Sequence, residues 1–100
     1  MPWRGLPIFA VAYVTSALPM RQLADIPHPD VKITLFAWNG KYLVKLEKGP
    51  LEQTYKVSEL DVTGEDDVRA LLDDAFVAAA VARFDHMRRD LHAAFERQGL

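Results

Sequence analysis

Between Val31 and Ser58 apolar residues recur with a period of two, and the pattern is interrupted by two short turns. The pattern divides into Val31–Trp38, Asn39-Gly40 and Lys41–Glu47. Asn-Gly accepts the left-handed dihedrals of a type I′ turn, whose twist matches the strands it joins. A two-residue turn sets the pairing: Trp38 faces Lys41, Ala37 faces Tyr42, Leu35 faces Val44, Ile33 faces Leu46 and Lys32 faces Glu47. Val31, Ile33, Leu35, Ala37, Tyr42, Val44 and Leu46 then share one face, and a slip of one residue would mix lysines into it. A second turn, Lys48-Gly49-Pro50-Leu51, leads to a third strand at 52–58. There Gln53 faces Leu46, Tyr55 faces Val44 and Val57 faces Tyr42.

The period changes after Ser58. Val68, Leu72, Phe76, Ala80, Phe84, Met87, Leu91 and Phe95 recur every three or four residues, as on one side of a helix. Thr63 is placed to cap its start, Asp66 follows three residues later, and Gly99 is placed to stop it. No proline or glycine interrupts 65–98. The expected fold is therefore α+β: a three-stranded antiparallel meander (31–38, 41–47, 52–58) followed by one long helix over 64–98. An extra strand or helix near 8–15 is a further option.

Lengths add a constraint. A helix over 64–98 would be roughly 50 Å long at 1.5 Å per residue, whereas a seven-residue strand spans roughly 23 Å. Either the helix breaks near its middle, around Ala82, or its far half is covered by Ile8–Val14 or packs on another chain. The stretch Ala75–Ala82 is apolar nearly all round, which a surface helix does not need. These features point to a homodimer with Phe84, Met87, Leu91 and Phe95 at the interface, since large apolar stripes are uncommon on monomers.

Residues 1–29 differ in character from 30–100, which read as a single domain. The first segment holds five of the six prolines (Pro2, Pro7, Pro19, Pro27 and Pro29) and an apolar run from Leu6 to Leu18. Three readings stay open for it. It is an ordered strand or flap around Ile8–Thr15, an upstream extension with Met20 as the true start, or a leader with Arg4 before the run and Thr15 and Ala17 as a cleavage pair. The prolines in Ile26-Pro27-His28-Pro29-Asp30 bias their predecessors toward extended backbone.

Composition narrows the chemistry. The chain has 100 residues, a formal charge of −2 and no cysteine, so thiolate catalysis, disulfides and cysteine zinc sites are excluded. No apolar run reaches the length of about 18 residues that a membrane span needs, and a cytoplasmic protein is expected unless the N-terminal segment directs export. His86 and His92 lack the spacing of a helical metal pair, Ser16 and Ser58 lack a nucleophile elbow, and the five glycines are isolated. Neighbouring Asp73 and Asp74 diverge by about 100° on a helix and read as a solvated face. No metal and no cofactor are expected, and an enzyme is the least supported class, resting only on the proximity of Asp85, His86 and Arg89 on one helical turn at the dimer interface.

One constellation remains. All five lysines fall in the meander, and Lys32, Thr34, Phe36, Trp38, Lys41, Leu43, Lys45, Thr54 and Lys56 share the face opposite the core. The helix balances this charge with eight acids against five arginines between Glu65 and Gln98. A face bearing Phe36, Trp38, Lys41, Leu43, Lys45 and Lys56 offers aromatic rings beside cations. It suits a protein partner or a covering segment, and alternatively a single-stranded nucleic acid stacked on the rings. The expectation is a non-enzymatic interaction module, homodimeric through the long helix, with nucleic-acid binding as the alternative.

Overall fold

Period-two alternation and the Asn-Gly turn produce the sheet they imply. In the computed structural model, which describes residues 20–100, β2 (Lys32–Trp38) and β3 (Lys41–Lys48) pair with Lys32 opposite Glu47 and Trp38 opposite Lys41. Asn39 and Gly40 both take positive φ, 51° and 77°, as a type I′ turn requires. β4 (Leu51–Ser58) pairs with β3 in the expected register, Gln53 opposite Leu46 and Tyr55 opposite Val44. Pairing continues to Lys48 and Leu51, so the second loop tightens to Gly49-Pro50. Gly49 sits at φ 58°, the first-position glycine of a type II′ turn. The N–H of Glu59 donates to the Gly40 carbonyl at 3.2 Å, tying the end of β4 to the first turn.

A fourth strand, β1 (Arg21–Ile26), pairs antiparallel with β2 and gives the order β1-β2-β3-β4. It lies before the boundary at residue 30 drawn from composition. The strand anticipated near 8–15 lies outside the described residues. β1 escapes period-two reading because its register shifts between Gln22 and Ala24, leaving Leu23 as the extra residue of a bulge. Ala24 and Ile26 then face the core with Leu35 and Ile33, while Gln22 and Asp25 face outward with Phe36 and Thr34.

The helical segment is broken. α1 (Glu65–Leu71) and α2 (Asp74–Arg97) meet at Leu72-Asp73, well before Ala82. Asp73 takes extended backbone (φ −77°, ψ 173°) and caps α2 by accepting the Phe76 N–H at 2.8 Å. The break has a geometric cause. A strict i, i+4 repeat drifts by about 40° per step on a helix of 3.6 residues per turn, so over 68–84 an unbroken helix would turn its stripe through roughly 160°. Val68 and Phe84, both fully buried, could not then face one sheet.

Thr63 does not cap α1. Gly64 occupies that position, and Asp67 reaches back instead: the N–H and hydroxyl of Thr63 both donate to its Oδ2 at 2.8 Å. Those two bonds hold the Asp67 carboxyl below its ordinary pKa, the backbone bond more than the hydroxyl.

Val31, Ile33, Leu35, Val44 and Leu46 from the sheet and Val68, Val77, Ala80 and Phe84 from the helices make up the core. α2 runs antiparallel to β4. Phe76 meets Tyr55 edge-on, ring centroids 5.0 Å apart, and four residues later Ala80 accepts a 2.8 Å bond from Gln53 Nε2. Four helical residues advance about 6 Å and two strand residues about 6.6 Å, so helix and strand stay in step. Arg83 fastens the pair, donating to Gln53 Oε1 at 3.2 Å and to the Tyr55 hydroxyl at 2.7 Å. Ala75, Ala78, Ala79 and Ala82 face outward and are exposed. The all-round apolarity of that stretch therefore reflects alanine's helix propensity rather than burial.

Candidate functional site

Two surfaces carry the residues singled out by sequence. The first is the outer sheet face, whose rows cross the strands: Gln22–Phe36–Leu43–Lys56, then Asp25–Thr34–Lys45–Thr54, with Trp38–Lys41–Ser58 at one end. Phe36, Trp38, Lys41, Leu43, Lys45 and Lys56 thus share one face. Leu43, at the middle of the sheet, is only 5% exposed, and Thr34 is likewise buried. Phe36 and Trp38 are half-buried. The lysines lie on the rings: Lys41 Nζ is 5.5 Å from the Trp38 centroid and Lys45 Nζ 5.4 Å from that of Phe36. Lys45 also reaches Glu52 at 3.9 Å, easing the contact of Glu47 with Glu52 across the β3–β4 pair.

The second surface is the far end of α2. Phe84 does not belong to it: at 2% exposure it lies in the chain's own core, and Met87 packs at the core's margin. Leu91 and Phe95 are 43% and 46% exposed. They nevertheless continue the buried stripe. At about 100° per residue both fall within roughly 40° of Val77 around the helix axis. The sheet simply ends first. The Gly49-Pro50 turn lies beside Phe84, Asp85, Arg88 and Leu91, and between turn and helix is a groove of about 220 Å³ with Leu51, Phe84 and Leu91 in its walls. Beyond Arg88 the helix projects for nine more residues, roughly 14 Å.

That projection is well closed. Gly99, at φ 71°, lets its own N–H reach the Glu96 carbonyl at 3.1 Å and the Leu100 N–H reach that of Phe95 at 3.0 Å, the paired bonds of a Schellman motif. Along one flank Arg88 pairs with Asp85 at 2.8 Å and His92 lies 3.4 Å from Glu96.

A second concavity, about 440 Å³, opens where β1 turns into β2, among Asp25, Pro27, His28, Asp30 and Glu47. His28 Nδ1 accepts the Asp30 N–H at 3.1 Å, so this ring nitrogen is engaged in shaping the loop. Among the described residues no group of three or more His, Cys, Asp or Glu is placed to hold a metal ion. No described helix is long and apolar enough to cross a membrane.

Sequence reasoning missed Gln53 and Arg83, polar residues whose pairing depends on which strand the helix lies along. The fold and these surfaces define a small α+β protein, a four-stranded meander backed by a broken helix. No known family model, curated protein or solved structure matches the chain.

Proposed function

We propose that this protein is a small non-enzymatic interaction module that self-associates through the projecting end of α2. One observation carries the reading: the stripe that packs Val77, Ala80 and Phe84 against the sheet runs on past the β3–β4 turn through Leu91 and Phe95, which stay 43% and 46% exposed. Burying a Leu or Phe completely is worth about 1.5–3 kcal/mol. The uncovered fractions of these two residues on both copies would thus supply about 4 kcal/mol. Association costs about 4 kcal/mol or more in lost freedom, so Met87 and Leu100 must add to the contact, and the dimer is dissociable rather than obligate.

Sedimentation equilibrium over a range of concentrations tests this. A monomer–dimer equilibrium is expected, shifted to monomer by Leu91→Asp and Phe95→Asp. Monomer at every concentration would overturn the proposal.

The outer sheet face supports a nucleic-acid reading less well. A base stacking on Trp38 or Phe36 would first have to displace the ammonium groups of Lys41 and Lys45. Titrating a single-stranded oligonucleotide at low and high salt is the check. Salt-sensitive binding lost in Lys41→Ala and Lys45→Ala would move the function to that face.

A further inference from the structure

β4 closes the strand order β1-β2-β3-β4, and among the described residues nothing pairs with its outer edge. A two-residue turn makes Lys48 and Leu51 a hydrogen-bonded pair, and bonding to β3 then recurs at every second residue. The Glu59 N–H on the Gly40 carbonyl continues that series. Leu51, Gln53, Tyr55 and Val57 therefore bond inward, while the N–H and C=O groups of Glu52, Thr54 and Lys56 point out of the sheet. At the opposite edge β1 carries the bulge at Leu23, a feature that discourages edge pairing. β4 has neither bulge nor proline.

The sequence of β4 matches a second β4. In an antiparallel two-fold pairing, outward-pointing residues must meet outward-pointing residues. An axis at Glu52 sets that carboxylate against its own copy, and an axis at Lys56 does the same for the ammonium group. Axes at Gln53 or Tyr55 leave both charges without an opposite one. An axis at Thr54 places Glu52 opposite the partner's Lys56, and the two-fold repeats the match. Thr54 then meets Thr54, and on the inner face Leu51 meets Val57 and Gln53 meets Tyr55. The contact of Glu52 with Lys45 is long, at 3.9 Å, and a carboxylate has acceptor sites for a second cation.

The same axis supplies cover for the projecting end of α2. Phe76 is level with Tyr55 and Ala80 with Gln53. Leu91 lies eleven residues past Ala80, roughly 16 Å, and thus roughly 20 Å from Thr54 along the strand. The partner's β4 runs the opposite way and brings its Ser58–Asp61 turn to roughly 13–20 Å on that side. That turn carries Leu60, 92% exposed in the single chain.

We infer that two copies join β4 to β4 about a two-fold axis at Thr54, forming one continuous eight-stranded sheet in which Glu52 faces the partner's Lys56 and the end of α2 meets the partner's Leu60 turn. This rests on the self-association proposed above and goes further by assigning the strand, the register and the apolar partner of α2.

Because the chain has no cysteine, a single introduced thiol reports the geometry directly in the full-length protein. Thr54→Cys sits on the axis, where paired Cα atoms are about 5.5 Å apart, inside the limit of about 7 Å for a disulfide. It is expected to give a cross-linked dimer under mild oxidation. Gln98→Cys is expected not to, since its two copies would lie roughly 60 Å apart along the strands. Charge exchange is a second arm. Glu52→Lys and Lys56→Glu each turn two opposite-sign pairs into like-sign ones and should weaken self-association about tenfold. Mixing the two variants should restore it, because every cross-strand pair in the mixed dimer is again of opposite sign.

Cross-linking through Gln98→Cys and not Thr54→Cys, or mixing without rescue, would overturn the edge pairing while self-association stands. A monomer at all concentrations would overturn both.

Discussion

Phe84 and Phe95 are the same residue on the same side of one helix, and the structure assigns them opposite consequences. Phe84 is 2% exposed, walled by the sheet and the groove residues. Truncation to alanine removes a buried ring and leaves a cavity that rigid strands cannot fill, a loss of about 3–5 kcal/mol. A chain of 100 residues has about 5–15 kcal/mol in total. Phe95, at 46% exposure, has about half as much covered surface to lose and leaves no enclosed cavity, and alanine's better helix propensity offsets part of that, so Phe95→Ala should stay within about 1 kcal/mol. Urea denaturation followed by far-ultraviolet circular dichroism, at concentrations too low for self-association, measures both. With a slope of about 1 kcal/mol per molar urea, the midpoint should fall by about 3 M or more for Phe84→Ala and by less than about 1 M for Phe95→Ala. Equal losses, or a larger loss at Phe95, would show that the core does not end where the sheet does. Leu91 and Phe95 would then belong to the core and not to an exposed extension of it.

Other expectations concern turns and caps. Gly40→Val puts a β-branched side chain at φ 77° in the first turn and should cost about 1–2 kcal/mol, read as a lower midpoint in the same denaturation; an unchanged midpoint would refute the turn assignment. Asp73→Ala removes the side chain that accepts the Phe76 N–H and should cost about 1 kcal/mol, whereas Asp74→Ala, one residue on, should cost less. Asp67, held below its ordinary pKa by Thr63, is a group whose folded value is depressed. Its contribution is therefore present above the unfolded pKa and lost as the pH falls through the folded one. Carboxyl NMR titration of Thr63→Val should show the Asp67 value rising only part of the way, because the backbone donor remains; no rise would show that the hydroxyl contributes nothing.

The sheet was legible because its instructions are local. Asn39-Gly40 dictates a two-residue turn, the turn dictates the register, and the alternation of Val31–Leu46 dictates which face is buried; all three agree residue by residue with the pairing of β2, β3 and β4. The outer face follows from the same register, which places Phe36, Trp38, Lys41, Leu43, Lys45 and Lys56 together. Their details do not follow from it. The seating of Lys41 and Lys45 on the rings depends on side-chain rotamers that alternation does not encode.

Tertiary structure decided what sequence periodicity left ambiguous. β1 exists as a strand because β2 offers an open edge, and its bulge at Leu23 disguises the alternation that would have announced it. Leu72-Asp73 has no glycine or proline to mark a break, yet the chain breaks there because only a change of direction brings Val68 and Phe84 to the same sheet. Phe84 and Phe95 are equivalent on a helical wheel, and what separates them is where the β3–β4 turn ends. A sequence states what each residue prefers nearby; how far a core extends depends on distances between elements, which only the assembled fold supplies.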